Sequence, residues 1–209
     1  MAPSDSADPF QRIPWCASLL RQSNIITRVP GSRKLKPTGE DSLFADILKT
    51  PRTIRSCLSY YIKPSPSASA IEEVSTLMTL GDGLNGHPGI LHGGIVATII
   101  DEGMGILQSA NFERDHLGEV AQGRAHGELP PEGYSFFTAE LTIKYLKPVM
   151  TGQALVVSCR YVKREGRKEW IFAEVKQRVG VDEDYEGDEV VCATGEALFI
   201  RPKKRPSKL

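Results

Sequence analysis

The sequence predicts an α+β protein in which an antiparallel sheet wraps around one long central helix. Two observations carry this prediction. Residues 95–107 are apolar nearly all round a helix and show no strand-like alternation, which is typical of a buried helix. Four later runs place apolar residues at alternate positions, as antiparallel strands with one buried face do. Since the helix offers no broad polar face, a sheet that surrounds it is the economical way to bury both.

Composition and charge exclude several classes of protein. The chain has 209 residues, of which 40% are hydrophobic and 25% charged, so it is neither largely disordered nor collagen-like. It has no run of 18 apolar residues, so a membrane span is not expected. Lys plus Arg and Asp plus Glu both number 26, and this balance gives no reason to expect a nucleic-acid partner.

Residues 1–53 predict a helical extension in which short helices alternate with loops. Asp8 and Pro9 form a typical helix start, and a second short helix is expected over 43–49. The N-terminus lacks the basic and apolar regions of a secretory signal, and the four cysteines show no CxxC spacing. We therefore expect a reducing, intracellular setting and no metal centre.

Residues 54–200 predict the domain that contains the sheet and the helix. Before the helix comes a loop over 81–94, whose six glycines among fourteen residues imply unusual backbone angles. After the helix, residues 111–133 are polar and predict a loop or lid. The strands are expected over 54–63, 72–80, 137–147, 153–164, 169–179 and 189–200.

Alternation also predicts which side chains point to the core. In the last four strands most odd-numbered residues are apolar, so these are expected to face the helix. In the first strand the residues expected to share one face are Ile54, Leu58, Tyr60 and Ile62. No internal repeat accompanies these strands.

The start of the central helix is a candidate functional site. Leu91, His92, Gly93 and Gly94 lead into it, and a helix N-terminus presents unpaired N–H groups and the positive end of the dipole. Two glycines there allow a ligand to approach the backbone, which can hold a carbonyl oxygen that becomes negative. The alternative is structural: the glycines make a tight turn and the histidine caps the helix.

Asp101 is the second candidate, because it lies within the apolar helix. None of its neighbours three or four positions away is basic, so no local ion pair explains the charge. A carboxylate that is buried without a partner is costly and often marks a functional site. The alternatives are an exposed stripe on the helix or a partner from a distant strand. Glu102 faces another side and is expected to be structural or exposed.

These residues resemble a known family. His92-Gly93-Gly94 followed by IVATIID is similar to the hotdog-fold acyl-CoA thioesterases of the phenylacetate-pathway type. The block TAELTIKYLKPVMTG resembles that family's pattern T-A-x-L-x-I-x-Y-x-x-P followed by Gly, and CATGEALFI resembles its last strand. Because separate blocks agree in order, the resemblance covers about residues 54–200. It implies a hotdog fold and hydrolysis of an acyl-CoA to the free acid and coenzyme A, without a metal or cofactor.

The resemblance also implies roles for single residues. The Gly93 N–H, with Gly94, would polarise the thioester carbonyl, and Asp101 would act as general base on water or as a direct nucleophile. Thr138 occupies the family's Ser/Thr position, where a hydroxyl helps to place the water. His92 is the motif histidine and is expected to position other groups. Two rivals remain: a hotdog protein that binds acyl-CoA without hydrolysis, and a hotdog enzyme of a biosynthetic pathway.

One departure from the family pattern and one conflict with strand alternation stand out. Some relatives carry Asn or Gln six residues before the motif histidine, as a second carbonyl contact, but this chain has Gly86 there. Asn85 or His87, on either side, is the expected substitute. In addition, simple alternation places Thr138 on the polar face of its strand, so we expect it to serve the site only if that strand end lies at a subunit seam.

Basic groups are expected to bind the phosphates of coenzyme A. Among the basic residues, we expect Lys147 to contribute to substrate binding. Residues 164–168 carry further bases, but with glutamates interspersed they are more typical of a solvated hairpin turn. The other candidates for the phosphates are Lys144, Arg164, Arg167 and Lys168.

Helix geometry predicts a homodimer, or a dimer of dimers, with shared sites. Asp101 lies eight residues after Gly93, which is about 12 Å along a helix, too far for both to act on one carbonyl. A two-fold axis that sets two helices antiparallel would bring them together.

Residues 201–209 form a basic tail that ends in Ser207-Lys208-Leu209, the form of a peroxisomal address read by an import receptor.

Overall fold

The computed structural model describes residues 3–127, 136–179 and 187–203. The helices are α1 (Asp8–Gln11), α2 (Pro14–Leu20) and α3 (Gly93–Ala121). The strands are β1 (Ile25–Arg28), β2 (Ile54–Ile62), β3 (Glu73–Leu80), β4 (Asn85–His87), β5 (Ile90–Leu91), β6 (Phe137–Tyr145), β7 (Ala154–Glu165), β8 (Lys168–Val179) and β9 (Asp188–Ile200). Short helical turns occur at Gly31–Arg33, Leu43–Ile47 and Asp82–Leu84.

Seven strands form one antiparallel sheet in the order β1-β2-β3-β7-β8-β9-β6, and β4 and β5 form a separate hairpin. The six predicted strands of the sheet begin and end within two residues of the expected positions. The sheet surrounds α3, whose side chains Ile99, Ile100, Met104 and Leu107 are fully buried. The predicted hotdog arrangement, an α+β fold with one central helix, is confirmed.

Helix α3 is longer than the sequence predicts. It begins at Gly93 and ends at Ala121, so the prediction of a loop was wrong for 111–121. The physical reason is that polar side chains here are buried with partners: Asn111 accepts from the N–H of Ile71 at 2.8 Å and donates to its carbonyl at 2.9 Å. Residues 128–133 of the expected lid lie outside the described residues.

Gly103 lets the helix approach the sheet. A Cβ atom at this position would lie 3.0 Å from both Sγ of Cys159 and Cγ1 of Val157, on β7. Gly105 differs, because a Cβ atom there would meet no heavy atom within 4 Å. Gly103 therefore makes room for side chains of the sheet, whereas Gly105 borders open space.

The expected faces of the last four strands are mostly confirmed, whereas that of β2 was wrong. A register shift between Ile54 and Ser56 turns part of β2 over. Ile54 therefore packs with the core around α3, while Leu58 and Tyr60 pack on the opposite side of the sheet. Ile62 is 66% exposed. A single irregularity in pairing reverses a period-2 pattern, because successive side chains point to opposite faces.

The N-terminal extension covers the outer side of the sheet. Phe10, Trp15 and Cys16 pack over Leu58 and Leu77, so the central strands are buried on both faces. The extension also contributes β1, a strand that was not predicted and that pairs with β2. The helix start at Asp8 and Pro9 is confirmed, while the division of the chain at residue 53 stays a prediction.

Arg33 fixes the extension to the domain. Its side chain is 1% exposed and donates to the carbonyl oxygens of Phe44 at 2.9 Å and Ile54 at 3.0 Å. Asp5 neutralises it at 3.1 Å and is paired in turn with Lys49 at 2.8 Å.

Within the described part of the chain, no helix is both long enough and apolar enough to cross a membrane.

Candidate active site

The N-terminus of α3 presents one open amide. His92 is the N-cap residue, and its Nδ1 accepts a hydrogen bond of 3.0 Å from the N–H of Gly94. Among the residues that the structure describes, the N–H of Gly93 has no acceptor. His92 therefore caps the helix by accepting from the Gly94 N–H, which agrees with the positioning role expected of it. Gly93 is left as the donor that can face an anionic oxygen.

The glycine-rich loop packs tightly against this helix start. A Cβ atom on Gly86 would lie 2.9 Å from Cα of His92, so no side chain fits where relatives carry Asn or Gln. Asn85 and His87 are exposed on the β4–β5 hairpin beside it. Oδ1 of Asn85 accepts from the hydroxyl of Thr151 at 2.6 Å, which leaves its amide N–H groups as the donors. Which of the two neighbours replaces the missing contact stays a prediction.

Asp101 has a partner from a distant strand. The hydroxyl of Thr138, on β6, donates to Oδ1 of Asp101 at 2.8 Å, and the pair is open to solvent. Two residues that the sequence separates by 37 positions are thus brought into direct contact. Because the hydroxyl donates its proton to the carboxylate, its lone pairs are left to accept a hydrogen bond from a water molecule.

A β-bulge explains how Thr138 reaches Asp101. The register of β6 against β9 shifts between Thr138 and Glu140, so that Thr138 opposes Phe199 while Glu140 opposes Leu198. Phe199 is 3% exposed and points to the core, and directly opposed side chains share a face. Ala139 is the extra residue, and it turns Thr138 inward. The expectation that alternation places Thr138 outward was therefore wrong.

Tyr145 is a site residue that sequence reasoning missed. Its hydroxyl donates to the carbonyl of Gly93 at 2.9 Å, and its ring atoms lie 3.6–3.7 Å from where a Cβ atom of Gly93 would be. Strand β6 therefore contacts α3 at both of its ends, through Thr138 and through Tyr145. The signal was present, because Tyr145 follows Leu141 and Ile143 at period 2 on the inward face.

Strand β6 is the edge of the sheet on this side. Within the described residues no strand pairs with the outer edge of β6. The backbone N–H and C=O groups on that edge are therefore unpaired, as is typical of an edge strand. Its apolar side chains are exposed to an unusual degree, since Phe137 is 61% and Tyr145 58% exposed. The edge strand that contacts both Gly93 and Asp101 is thus an open surface.

The candidate phosphate ligands fall into two groups. Lys147 is exposed just beyond β6, and its backbone N–H is held by the carbonyl of Cys192 at 2.9 Å. In the β7–β8 hairpin, Arg164 is paired with the buried Glu169 at 3.3 Å. The guanidinium of Arg167 donates to the carbonyl of Arg201 at 2.6 Å. These contacts favour the interpretation of the hairpin bases as parts of a solvated turn.

Glu102 is neither freely exposed nor part of the Asp101 pair. It faces the N-terminal extension, where burial raises the pKa of its carboxyl to about 7. The neighbouring Ser32 hydroxyl and the Arg33 guanidinium oppose this rise. The four cysteines are free and buried, and burial raises the pKa of the Cys57 and Cys159 thiols, which keeps them protonated.

Comparison with known proteins identifies relatives of this chain. The family model of the thioesterase superfamily matches residues 88–178. Verlamelin biosynthesis protein B of Lecanicillium sp is 27% identical over 135 residues, which are 57% of this chain and 58% of that protein. An uncharacterized protein of Schizosaccharomyces pombe is 24% identical over 168 residues, 79% of each chain. The PaaI protein of the E. coli phenylacetic acid degradation operon is 13% identical, with a TM-score of 0.43 over 64% of this chain and 79% of that one. The match thus spans less than two thirds of the Lecanicillium protein.

Proposed function

We propose that the protein hydrolyses an acyl-CoA thioester to the free acid and coenzyme A. The match of residues 88–178 to the family model of the thioesterase superfamily supports this proposal. The observation that carries the proposal is the hydrogen bond between Thr138 and Asp101, which places a carboxylate and a hydroxyl side by side at a solvent-accessible edge. The open N–H of Gly93 at the start of α3 supports it, because thioester hydrolysis needs a donor for the developing oxyanion.

The proposed reaction uses these three groups in turn. A water molecule that donates to Asp101 and to the oxygen of Thr138 attacks the thioester carbon, and Asp101 takes its proton. The carbonyl oxygen becomes negative and is stabilised by the N–H of Gly93 and the positive end of the α3 dipole. Collapse of the tetrahedral intermediate breaks the C–S bond, and the thiolate of coenzyme A receives the proton from Asp101. Direct attack by the carboxylate of Asp101 is the alternative first step.

The proposed site is shared between two subunits. In one chain Gly93 and Asp101 are about 12 Å apart along α3, too far to act on one carbonyl. Antiparallel pairing of the open β6 edge with β6 of a second copy would bring Asp101 of one subunit close to Gly93 of the other. If the two-fold axis crosses β6 midway between Thr138 and Tyr145, then Thr138 lies opposite Tyr145 of the partner subunit. Asp101 then lies near Gly93 of the partner subunit, because each contacts its own end of β6.

Thiol release from a panel of acyl-CoAs tests the activity. Asp101→Asn should lower kcat by about a hundredfold or more, because the amide is isosteric but cannot accept a proton from water. Asp115→Asn is the matched control, since it makes the same change at an exposed position of α3. Activity of Asp101→Asn within a few-fold of wild type would remove Asp101 from the mechanism and favour a protein that only binds acyl-CoA.

Mixing two inactive variants tests the shared site. Asp101→Ala removes the base, and Gly93→Pro removes the amide donor at the first helical position, where proline is well accepted. In a heterodimer one site carries both lesions and the other carries neither. Random mixing of folded chains should therefore restore about a quarter of the wild-type sites. A folded mixture as inactive as its parents would show that Asp101 and Gly93 act within one chain.

The alternative function is acyl transfer or acyl binding within a biosynthetic pathway. The observation that favours it is the name of the Lecanicillium relative, which refers to verlamelin biosynthesis. Release of free acid and thiol in equal amounts would support hydrolysis. Thiol release that depends on an added acceptor, with the acyl group transferred to it, would support the alternative.

We also propose a peroxisomal role in lipid metabolism. The terminal Ser207-Lys208-Leu209 supports it, although these residues lie outside those that the structure describes. A fluorescent protein fused to the N-terminus should mark peroxisomes with the intact tail and the cytosol without these three residues. The purified enzyme's kinetics should not change. Cytosolic fluorescence from the intact tail would overturn this proposal while leaving the catalytic one untouched.

A further inference from the structure

The two glycines that open α3 form a part of the backbone that would move easily if it were not held. Gly93 and Gly94 follow each other at the first two positions of the helix. Glycine has more conformational freedom than any other residue, and the first N–H groups of a helix have no partner within it. The open N–H of Gly93 belongs to this part. A donor whose direction varies stabilises an oxyanion poorly, because the gain depends on dipoles that are already oriented.

The peptide group that contains this donor is held by bonds of the helix itself. Its carbonyl, that of His92, accepts from the N–H groups of Ile95 at 2.9 Å and Val96 at 3.1 Å. These two bonds close over both glycines. They persist only while the glycines keep helical backbone angles, so the direction of the Gly93 N–H depends on what fixes the next peptide group.

The next peptide group, between Gly93 and Gly94, is held at both of its ends. Its N–H donates to Nδ1 of His92 at 3.0 Å, and its carbonyl accepts from the hydroxyl of Tyr145 at 2.9 Å. Among the described residues, Tyr145 is the one side chain outside α3 and its N-cap that hydrogen-bonds to either glycine. Its ring atoms lie 3.6–3.7 Å from the position of a Gly93 Cβ atom, so the ring also limits the movement of this turn.

Tyr145 is anchored to a firm part of the sheet. It pairs with Ala193 of β9, which is 1% exposed. The next two residues, Leu146 and Lys147, donate their N–H groups to the carbonyl of Cys192 at 2.8 and 2.9 Å. The backbone that carries the tyrosine is thus fixed to β9, as a residue that positions another group requires. Pairing of β6 with the partner subunit's β6, as proposed above, would also shield the exposed ring from water that competes for its hydrogen bond.

We propose that Tyr145 is a positioning residue for the oxyanion donor: its hydroxyl locks the peptide group between Gly93 and Gly94 and so keeps the N–H of Gly93 directed at the thioester carbonyl. The inference rests on the proposed thioesterase function. Loss of one neutral hydrogen bond of this kind corresponds to about a three- to tenfold loss of rate. Because the carbonyl oxygen gains its charge only in the transition state, the loss falls on kcat and not on KM.

Tyr145→Phe removes the hydroxyl and keeps the ring. With the best substrate of the acyl-CoA panel, kcat should fall about three- to tenfold and KM should stay within about twofold of the wild-type value. Tyr61→Phe is the matched control, since it deletes a hydroxyl on β2, which is separated from β6 by four strands in the sheet order. It should keep the kinetics of the wild type.

Two analogues that are not hydrolysed separate oxyanion stabilisation from binding. One is the trifluoromethyl ketone analogue of acetyl-CoA in which a methylene replaces the sulfur, and its carbonyl carbon becomes tetrahedral. The other is S-ethyl-CoA, which has no carbonyl oxygen. Tyr145→Phe should raise the Kd of the ketone by about the factor by which it lowers kcat, and should leave the Kd of S-ethyl-CoA within about twofold of wild type.

The ¹⁵N relaxation of the Gly93 amide reports on the positioning without any turnover. In wild type its order parameter should be about 0.85, as for rigid backbone, and in Tyr145→Phe it should fall below about 0.7. The amide of Gly103, in the middle of α3, should keep its value in both proteins. A lower kcat with an unchanged order parameter at Gly93 would show that the hydroxyl does not act through this amide, and the proposal would be overturned.

The other outcomes also decide between the proposals. If wild type hydrolyses acyl-CoA and Tyr145→Phe matches it within twofold in kcat and in ketone affinity, the role of Tyr145 is overturned and the thioesterase proposal stands. If Tyr145→Phe weakens both analogues equally, the hydroxyl supports binding in general, which also overturns the positioning of the donor. If wild type hydrolyses no acyl-CoA of the panel, both proposals fall.

Discussion

Replacing Thr138 with valine removes the hydroxyl that contacts Asp101 and keeps the shape of the side chain. Valine is also β-branched and suits an edge strand, so the fold of β6 should survive. The lost hydrogen bond, 2.8 Å long, is made to a charged group, and such bonds contribute about 1.5–3 kcal/mol. Since about 1.4 kcal/mol corresponds to a factor of ten in rate, kcat should fall roughly ten- to a hundredfold.

The assay is thiol release at saturating acyl-CoA, with two control variants. Thr138→Ser keeps the hydroxyl and should retain most of the activity. Thr142→Val makes the same change further along β6, but Thr142 opposes Glu196 and is exposed on the outer face, so it should behave as wild type. If Thr138→Val matches wild type within twofold, the hydroxyl does not position the attacking water and the proposed geometry is wrong.

Three further predictions concern the structure around the site. Arg33→Met should lower the free energy of unfolding by about 2–4 kcal/mol in urea titrations, because Asp5 loses one of its two basic partners and the carbonyls of Phe44 and Ile54 lose their buried donor; a change below about 1 kcal/mol would mean that the extension is not anchored there. Burial raises the pKa of Glu102 from its ordinary value of 4.5 to about 7, so its contribution to stability is full below pH 4.5 and is lost as pH rises through 7, a loss of about 3 kcal/mol. Glu102→Gln should remove this loss between pH 5 and 8, and equal slopes in both proteins would contradict the assignment. Gly103→Ala should destabilise the protein by about 1–3 kcal/mol through crowding against Cys159, whereas Gly118→Ala should stabilise it, as thermal unfolding would show.

Local patterns were enough for most of the fold. The apolar run of α3 and the alternation of the strands are properties of neighbouring residues, and they predicted the helix and six strands of the sheet to within two residues at each strand end. His92, Gly93 and Asp101 were found in the same way, because a capping motif and a lone carboxylate in an apolar helix stand out within one segment. These predictions depend on the spacing of apolar residues and on the residue types within one segment, both of which can be read directly from the sequence.

Contacts between distant segments decided the rest. The bulge at Ala139 turns Thr138 toward Asp101, and its position depends on the register against β9 rather than on the residues of β6 alone. Asn111 continues α3 where its polarity predicted a loop, because Ile71, 40 positions away, satisfies it. Pairing register and burial are set by partners far along the chain, so the sequence determined the candidate groups and the tertiary structure decided which of them meet.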